Sequence, residues 1–141
     1  MTSDRVDEPT VAKETFSASA DLLLDDHATA HARSLVRAML TSWAVTEDDA
    51  YDALLVVSEL VGNATRHSEH TAAGLELQLD ALGLLLAVRD GSSVVPEIRE
   101  VGLLDESGRG YLIIEGLALD WGVEDEPDGK RVWVLLPDPR R

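Results

Sequence analysis

The sequence predicts an α/β domain of the α+β sandwich kind, in which helices cover one face of a largely antiparallel mixed sheet. Two stretches with apolar residues every three or four positions predict helices, and two pairs of short alternating segments predict hairpins. The chain has 141 residues, of which 45% are hydrophobic and 28% charged, enough for one core. We therefore expect a single domain over residues 14–137, followed by a tail at 138–141.

The N-terminal part of the chain predicts a short strand and then a helix. Residues 1–13 are polar and acidic and predict a flexible lead-in, whereas residues 14–20 alternate weakly, as a short strand does. Apolar residues recur at helical spacing over residues 27–43, which predicts an amphipathic helix. We expect Asp25 or Asp26 to cap its first turn.

The middle of the chain predicts a second helix and a hairpin. A capping pattern begins at Thr46 and opens a helix that runs to about His67. The apolar stripe of this helix consists of Ala50, Leu54, Val57, Val61 and Ala64. Residues 75–80 alternate between apolar and polar, and residues 84–89 are more apolar throughout, so we expect an antiparallel hairpin whose second strand lies nearer the sheet centre.

A long polar loop separates this hairpin from a final helix and hairpin. The loop runs over residues 90–109, longer than most connections, so we expect a functional lid. Residues 110–119 then predict a short helix. Strands are predicted at 119–123 and 131–136, on either side of an acidic turn at 124–129.

Composition excludes several classes of function. A net charge of −15 argues against a nucleic-acid partner and favours a neutral or basic protein partner. The absence of cysteine excludes disulfides, thiol nucleophiles and cysteine-ligated metals. The first residues lack the apolar stretch of a signal peptide, and no apolar run approaches the roughly 18 residues of a membrane span. We therefore expect a cytoplasmic protein with no membrane contact.

Glu59 and Asn63 are the first candidate site residues, because they lie four apart on the second predicted helix and share one face. A carboxylate that orients a nucleophile, beside an amide oxygen that ligates magnesium, is a starting point for phosphoryl transfer. Arg66 and His67 extend the stripe by another turn and join the candidate cofactor-binding set. The alternative is a solvated helix edge, which the spacing alone favours.

Two glycine-containing segments supply the other candidates. Asp90 and Gly91 end an apolar strand, where the carboxylate could accept a hydrogen bond from an exocyclic amine; a simple turn is the alternative. Gly108, Arg109 and Gly110 come directly before a predicted helix, where backbone N–H groups can hold phosphate. An ordinary flexible loop explains this second segment equally well.

Taken in order, these segments resemble the GHKL ATPase superfamily, whose Bergerat fold is shared by gyrase, Hsp90 and the histidine kinases. The resemblance rests on ELVGNATRH at residues 59–67, DG at 90–91 and GRGY at 108–111. The short length, WG at 121–122 and GKRVW at 129–133 resemble the anti-sigma-factor serine kinase branch. The scarcity of lysine is similar to its actinobacterial members.

The resemblance implies ATP and Mg²⁺ as cofactors and assigns roles to the candidate residues. It implies that Glu59 is the general base that activates an attacking hydroxyl, and that Asn63 ligates the magnesium. It implies that Asp90, followed by Gly91, accepts from the adenine amine. The glycines within residues 108–110 would form a lid over the phosphates, with Arg109 between them.

The chain departs from the family pattern at two places. Ser92 and Val94 stand where the family's adenine segment usually continues with glycines. Arg131 stands where a threonine commonly lies near the adenine, and its side chain would either crowd the base or point away.

Two functions remain open at this stage. The resemblance implies a kinase that phosphorylates a serine of an antagonist protein and sequesters a sigma factor. The alternative is a protein-binding module of the same fold that regulates a partner by contact and holds nucleotide weakly or not at all. A histidine kinase catalytic part is less favoured, since no phosphoacceptor helical hairpin is found in the sequence. The resemblance also implies a homodimer formed through the first helix.

Overall fold

The computed structural model describes residues 14–67, 71–90 and 109–140. Eight elements follow one another along these residues: β1 (Phe16–Leu23), α1 (Ala28–Ser42), α2 (Tyr51–His67), β2 (Ala72–Asp80), β3 (Gly83–Asp90), α3 (Arg109–Leu117), β4 (Asp120–Glu126) and β5 (Gly129–Leu136). The predicted flexible segment at 1–13 and most of the predicted lid, residues 91–108, lie outside the described residues.

The five described strands form one sheet in the order β1-β2-β3-β5-β4. Each neighbouring pair is antiparallel, which confirms the predicted class of fold. β3 lies at the centre of the sheet, which explains why its sequence is apolar on both faces: Ala87, on the face away from the core cluster, is also fully buried.

The core lies between one face of the sheet and the helices. Leu84, Leu86 and Val88 of β3 share a buried cluster with Val132, Val134 and Leu136 of β5 and with the apolar stripes of α1 and α2. All five stripe residues predicted for the second helix are buried. α2 packs against β3 and β5, and α1 packs against α2 and β1. Burial of α2's apolar stripe therefore fixes which side of that helix faces the sheet.

α1 begins and ends close to its predicted limits, whereas α2 begins at Tyr51, later than the predicted start at Thr46, and the predicted cap of α1 is different. The structure has no side-chain hydrogen bond at the N-cap residue His27; Asp25 Oδ1 instead accepts from the His27 backbone N–H at 2.8 Å. The predicted bond from the Asp49 N–H to Thr46 Oγ1 is present at 3.2 Å, but it lies in the turn that precedes α2. No helix in the described part of the chain is long and apolar enough to cross a membrane.

The strands are longer than predicted at both edges of the sheet. β1 continues to Leu23, beyond the predicted end at 20, because it pairs with β2 along its whole length. The predicted acidic turn at 124–129 is shorter in the structure, since β4 continues to Glu126 and β5 begins at Gly129, which leaves residues 127–128 as the turn. Backbone pairing continues to Glu126 and Gly129, and beside it Arg131 Nη1 lies 3.2 Å from Glu124 Oε1.

The two ends of the described fold are in contact. Arg140 Nη1 donates a hydrogen bond of 2.6 Å to the backbone oxygen of Glu14. The same guanidinium pairs with Asp138, at 3.1 Å between Nε and Oδ1. Part of the predicted C-terminal tail is therefore fastened to the start of β1.

Candidate functional site

The C-terminal half of α2 carries a buried amide, Asn63, beside the apolar side chains that face the core. Asn63 follows Val56 and Leu60 at helical spacing, which turns it inward, and it is only 3% exposed. Within the residues that the structure describes, its side chain makes no hydrogen bond. A buried amide without a partner lowers stability, so its presence points to a ligand rather than to folding.

Glu59 lies one turn before Asn63 on the same face of α2 and is half-buried. One turn after Asn63, Arg66 is exposed, and its Nη1 would lie 3.4 Å from a Cβ built at Gly62. Both Glu59 and Arg66 take part in interactions, so neither is a loosely solvated side chain. His67 is the last residue of α2, and only its backbone is described.

β3 ends at Asp90, which lies on the face of the sheet that the helices cover. Leu86 and Val88 precede it on that face, and Asp90 is 5% exposed. Asp90 is therefore a buried strand residue rather than a residue of a surface turn. It lies on the same side of the sheet as α2, which carries Asn63.

Lys130 is the cross-strand neighbour of Asp90, in the pair at the C-terminal end of β3. Its Nζ donates to Asp90 Oδ2 at 2.7 Å, and both side chains are 3% exposed. The predicted strand began at Arg131, so Lys130 was missed as a site residue. Its position two residues before Val132, on the inward side of the alternation, was the signal that could have found it.

Comparison with known families identifies the kind of domain that carries these residues. The family described as "Histidine kinase-like ATPase domain" matches residues 23–136, a range that includes both Glu59 and Asn63 on α2 and the Asp90–Lys130 pair. The chain belongs to this family. The predicted GHKL resemblance is thereby confirmed.

Comparison with solved structures gives the same fold for this histidine kinase-like ATPase domain. The crystal structure of the RsbU and RsbW domains of Rv1364c from Mycobacterium tuberculosis superposes with a TM-score of 0.63 at 16% sequence identity. The match covers 86% of the present chain and 32% of the other, so this chain spans about a third of that protein's length. A search of curated proteins gives no match.

A histidine kinase-like ATPase domain implies bound ATP, and the residues of this chain fit that ligand in part. The orphaned amide of Asn63 suits Mg²⁺, which takes one or two protein oxygens and fills its other positions with water and phosphate. Among the described residues, no group of three or more His, Asp or Glu is placed to hold a metal ion. Where Asp90 is expected to bind the adenine base, the fit is incomplete, because Asp90 already pairs with Lys130.

Arg131 points away from the helix-covered face, so it does not crowd the base position. Its Nε lies 3.2 Å from Glu76 Oε1, and Nη1 contacts Glu124 on the outer face. Arg89 joins this outer network through Glu76 and Glu126. The hydrogen bond from Arg89 is the main cause that holds the pKa of Glu126 below its ordinary value.

Two described cavities differ in their relation to the candidate residues. One of about 500 Å³ opens beside Asp90 and the β4–β5 turn, and its lining includes neither Glu59 nor Asn63. Another, of about 810 Å³, lies at the far end of the fold between the start of α2 and the C-terminal segment. The second holds none of the predicted site residues, and its acidic side chains outnumber its arginines, which disfavours phosphate.

The predicted phosphate-binding segment is described only in part. Gly91 and Gly108 lie outside the described residues. Arg109 and Gly110 are the first two residues of α3, and only their backbone is described. α3 packs against α2 and contains the fully buried Ile114. The positive end of the α3 dipole thus belongs to a helix that contacts the one carrying Asn63.

Proposed function

We propose that this chain is an ATP-dependent protein-serine kinase of the anti-sigma-factor type. It binds MgATP, transfers phosphate to a serine of an antagonist protein and, in another state, sequesters a sigma factor. The family match supports an ATPase-type domain, while the two protein partners follow from the sequence resemblance.

The buried amide of Asn63 is the observation that carries this proposal. A structural asparagine in a core has hydrogen-bond partners, whereas the Asn63 side chain is 3% exposed and has none among the described residues. Its amide oxygen is of the type that ligates Mg²⁺ beside phosphate. A metal at this position would supply charge neutralisation on the phosphates during transfer.

Glu59 is assigned the role of general base. It lies one turn from Asn63 on the same helix face and is half-buried, so its carboxylate is held close to the proposed phosphate edge. The carboxylate accepts the proton of the serine hydroxyl as the hydroxyl oxygen attacks the γ-phosphorus, and the bond from that phosphorus to the oxygen bridging the β-phosphate breaks, so that ADP leaves. Asp90 accepts a hydrogen bond from the adenine amine at the other end of the proposed site.

The proposed partners are proteins rather than nucleic acids. The net charge of −15 favours a neutral or basic partner surface and accelerates encounter with a basic one. A homodimer formed through α1 is part of the same proposal.

A contact-only regulatory module is the second candidate function. The observation that favours it is the ion pair between Lys130 and Asp90. This pair occupies the carboxylate that the first proposal assigns to binding of the adenine amine. Such a module would bind its partner whether or not nucleotide is present.

Phosphate transfer from radiolabelled ATP to a candidate antagonist separates the two functions. Glu59→Gln removes the proposed base, and we expect transfer to fall by about 10²-fold or more. Asp52→Asn is the matched control, because Asp52 is an exposed carboxylate in the first turn of the same helix. Phosphate transfer retained by Glu59→Gln would contradict the role of Glu59 as general base. Wild-type protein that binds the antagonist without phosphorylating it would favour the contact-only module.

A further inference from the structure

We propose that Lys130 weakens recognition of the 6-position of a purine base, so that the wild-type chain discriminates poorly between ATP and ITP. This inference rests on the proposed nucleotide binding and concerns the base end of the same site. ITP carries a carbonyl oxygen where ATP carries the 6-amino group, so the two nucleotides differ in donor and acceptor character where Asp90 is proposed to bind.

The contact between Lys130 and Asp90 is direct and buried. Nζ lies 2.7 Å from Oδ2, and each side chain is 3% exposed, so water screens the interaction little. An ammonium group is a stronger donor than a neutral aromatic amine, because its hydrogen bond to the carboxylate is charge-assisted. Lys130 therefore competes with an incoming 6-amino group for the same carboxylate.

The ammonium also changes which bases the site tolerates. A carboxylate alone repels the lone pairs of a 6-oxo group, but an ammonium group has three N–H donors and can offer one to that oxygen. The pair of Asp90 and Lys130 presents both an acceptor and a donor to the base. A site of this composition loses the preference for an amine that an isolated aspartate would impose.

The register of the sheet makes Lys130, rather than Arg131, the residue that acts on Asp90. Asp90 pairs with Lys130, and both point into the helix-covered face. Arg131 is one residue further along β5 and points to the outer face, where it contacts Glu76 and Glu124. Two adjacent cations on one strand thus provide a test variant and a matched control.

Titration calorimetry with Mg²⁺ and either ATP or ITP tests the inference on purified wild type, Lys130→Thr and Arg131→Thr. We expect wild type and Arg131→Thr to bind the two nucleotides within about threefold of each other. Lys130→Thr removes the ammonium group from the Asp90 carboxylate and leaves a small hydroxyl, and this variant should prefer ATP by about tenfold or more, the effect of one hydrogen bond to a charged group. Lys130→Met, which retains most of the buried volume without a donor, should show the same preference if Lys130→Thr does not fold.

Each other result overturns the inference in a recognisable way. A wild type that already prefers ATP by tenfold, or a Lys130 variant no more selective than wild type, overturns the role of Lys130 and leaves the proposed nucleotide binding intact. Weaker ATP binding by Lys130→Thr than by wild type would show that the ammonium group helps to bind the adenine base, and it would overturn the inference. No binding of either nucleotide by any of the folded proteins overturns the proposed function together with this inference.

Discussion

The two faces of the sheet handle charge in opposite ways, although the residues concerned are neighbours on the same two strands. On the helix-covered face, Asp90 and Lys130 form one ion pair with both side chains 3% exposed. On the outer face, Arg89 and Arg131 lie within a network of glutamates, and the Arg89 side chain is 48% exposed. Removing one cation is therefore expected to lower the free energy of unfolding by a large amount on the helix-covered face and by a small amount on the outer face. The difference arises because desolvation decides the cost of an unpaired charge.

Lys130→Ala is the change expected to have the largest effect on stability. It leaves the Asp90 carboxylate buried without its cation, which typically costs about 3–5 kcal/mol. Urea denaturation followed by circular dichroism measures the loss. Arg89→Ala is the control on the outer face, where the Arg89 side chain is 48% exposed and we expect about 1 kcal/mol or less. Equal losses from the two variants would contradict the difference between the faces.

Gly122→Ala tests whether packing matters more than charge on the outer face. A Cβ at Gly122 would lie 2.9 Å from the Trp133 ring, so the indole would have to move. We expect a loss of about 1–3 kcal/mol in the free energy of unfolding. Gly116→Ala in α3 is the matched control, because no atom lies within 4 Å of a Cβ there, and it should be neutral or stabilising. Similar results for both glycines would mean that the indole is not held against the sheet.

Glu126→Gln is expected to have the smallest effect, and one that depends on pH. The hydrogen bond from Arg89 lowers the folded-state pKa of Glu126, so the pair stabilises the fold above the ordinary pKa of a glutamate and loses that contribution as pH falls through the lower folded value. At pH 7 we expect a loss of about 0.2–0.5 kcal/mol, reduced by salt. Thermal melts of wild type and variant should therefore converge toward pH 3, and a gap that widens in acid would contradict the assignment.

The fold could be predicted from the sequence because its main elements have strong periodicity. The stripe of α2 and the alternation of β2 required no tertiary information, and both lie where they were predicted. The limits of β1 and of the β4–β5 hairpin were predicted less well. In both cases cross-strand pairing extends a strand whose own sequence, serine and alanine in β1 or acidic in β4, does not indicate one.

The candidate site could be predicted only as far as single elements allow. The spacing of Glu59 and Asn63 gives their common helix face, but their roles remain predictions. The partner of Asp90 could not be found in this way, because pairing with Lys130 depends on the register between strands that are 40 residues apart. The same register decided that Arg131 turns outward, which the sequence had left open.

The hydrogen bond between Arg140 and the backbone of Glu14 gives this domain a property unrelated to its chemistry. Since its first strand and its last residues meet at one point, joining them with a short linker should leave every core contact in place. A circular permutant opened elsewhere would thus retain the sheet, and the domain could be spliced into a surface loop of a host protein without stretching either backbone.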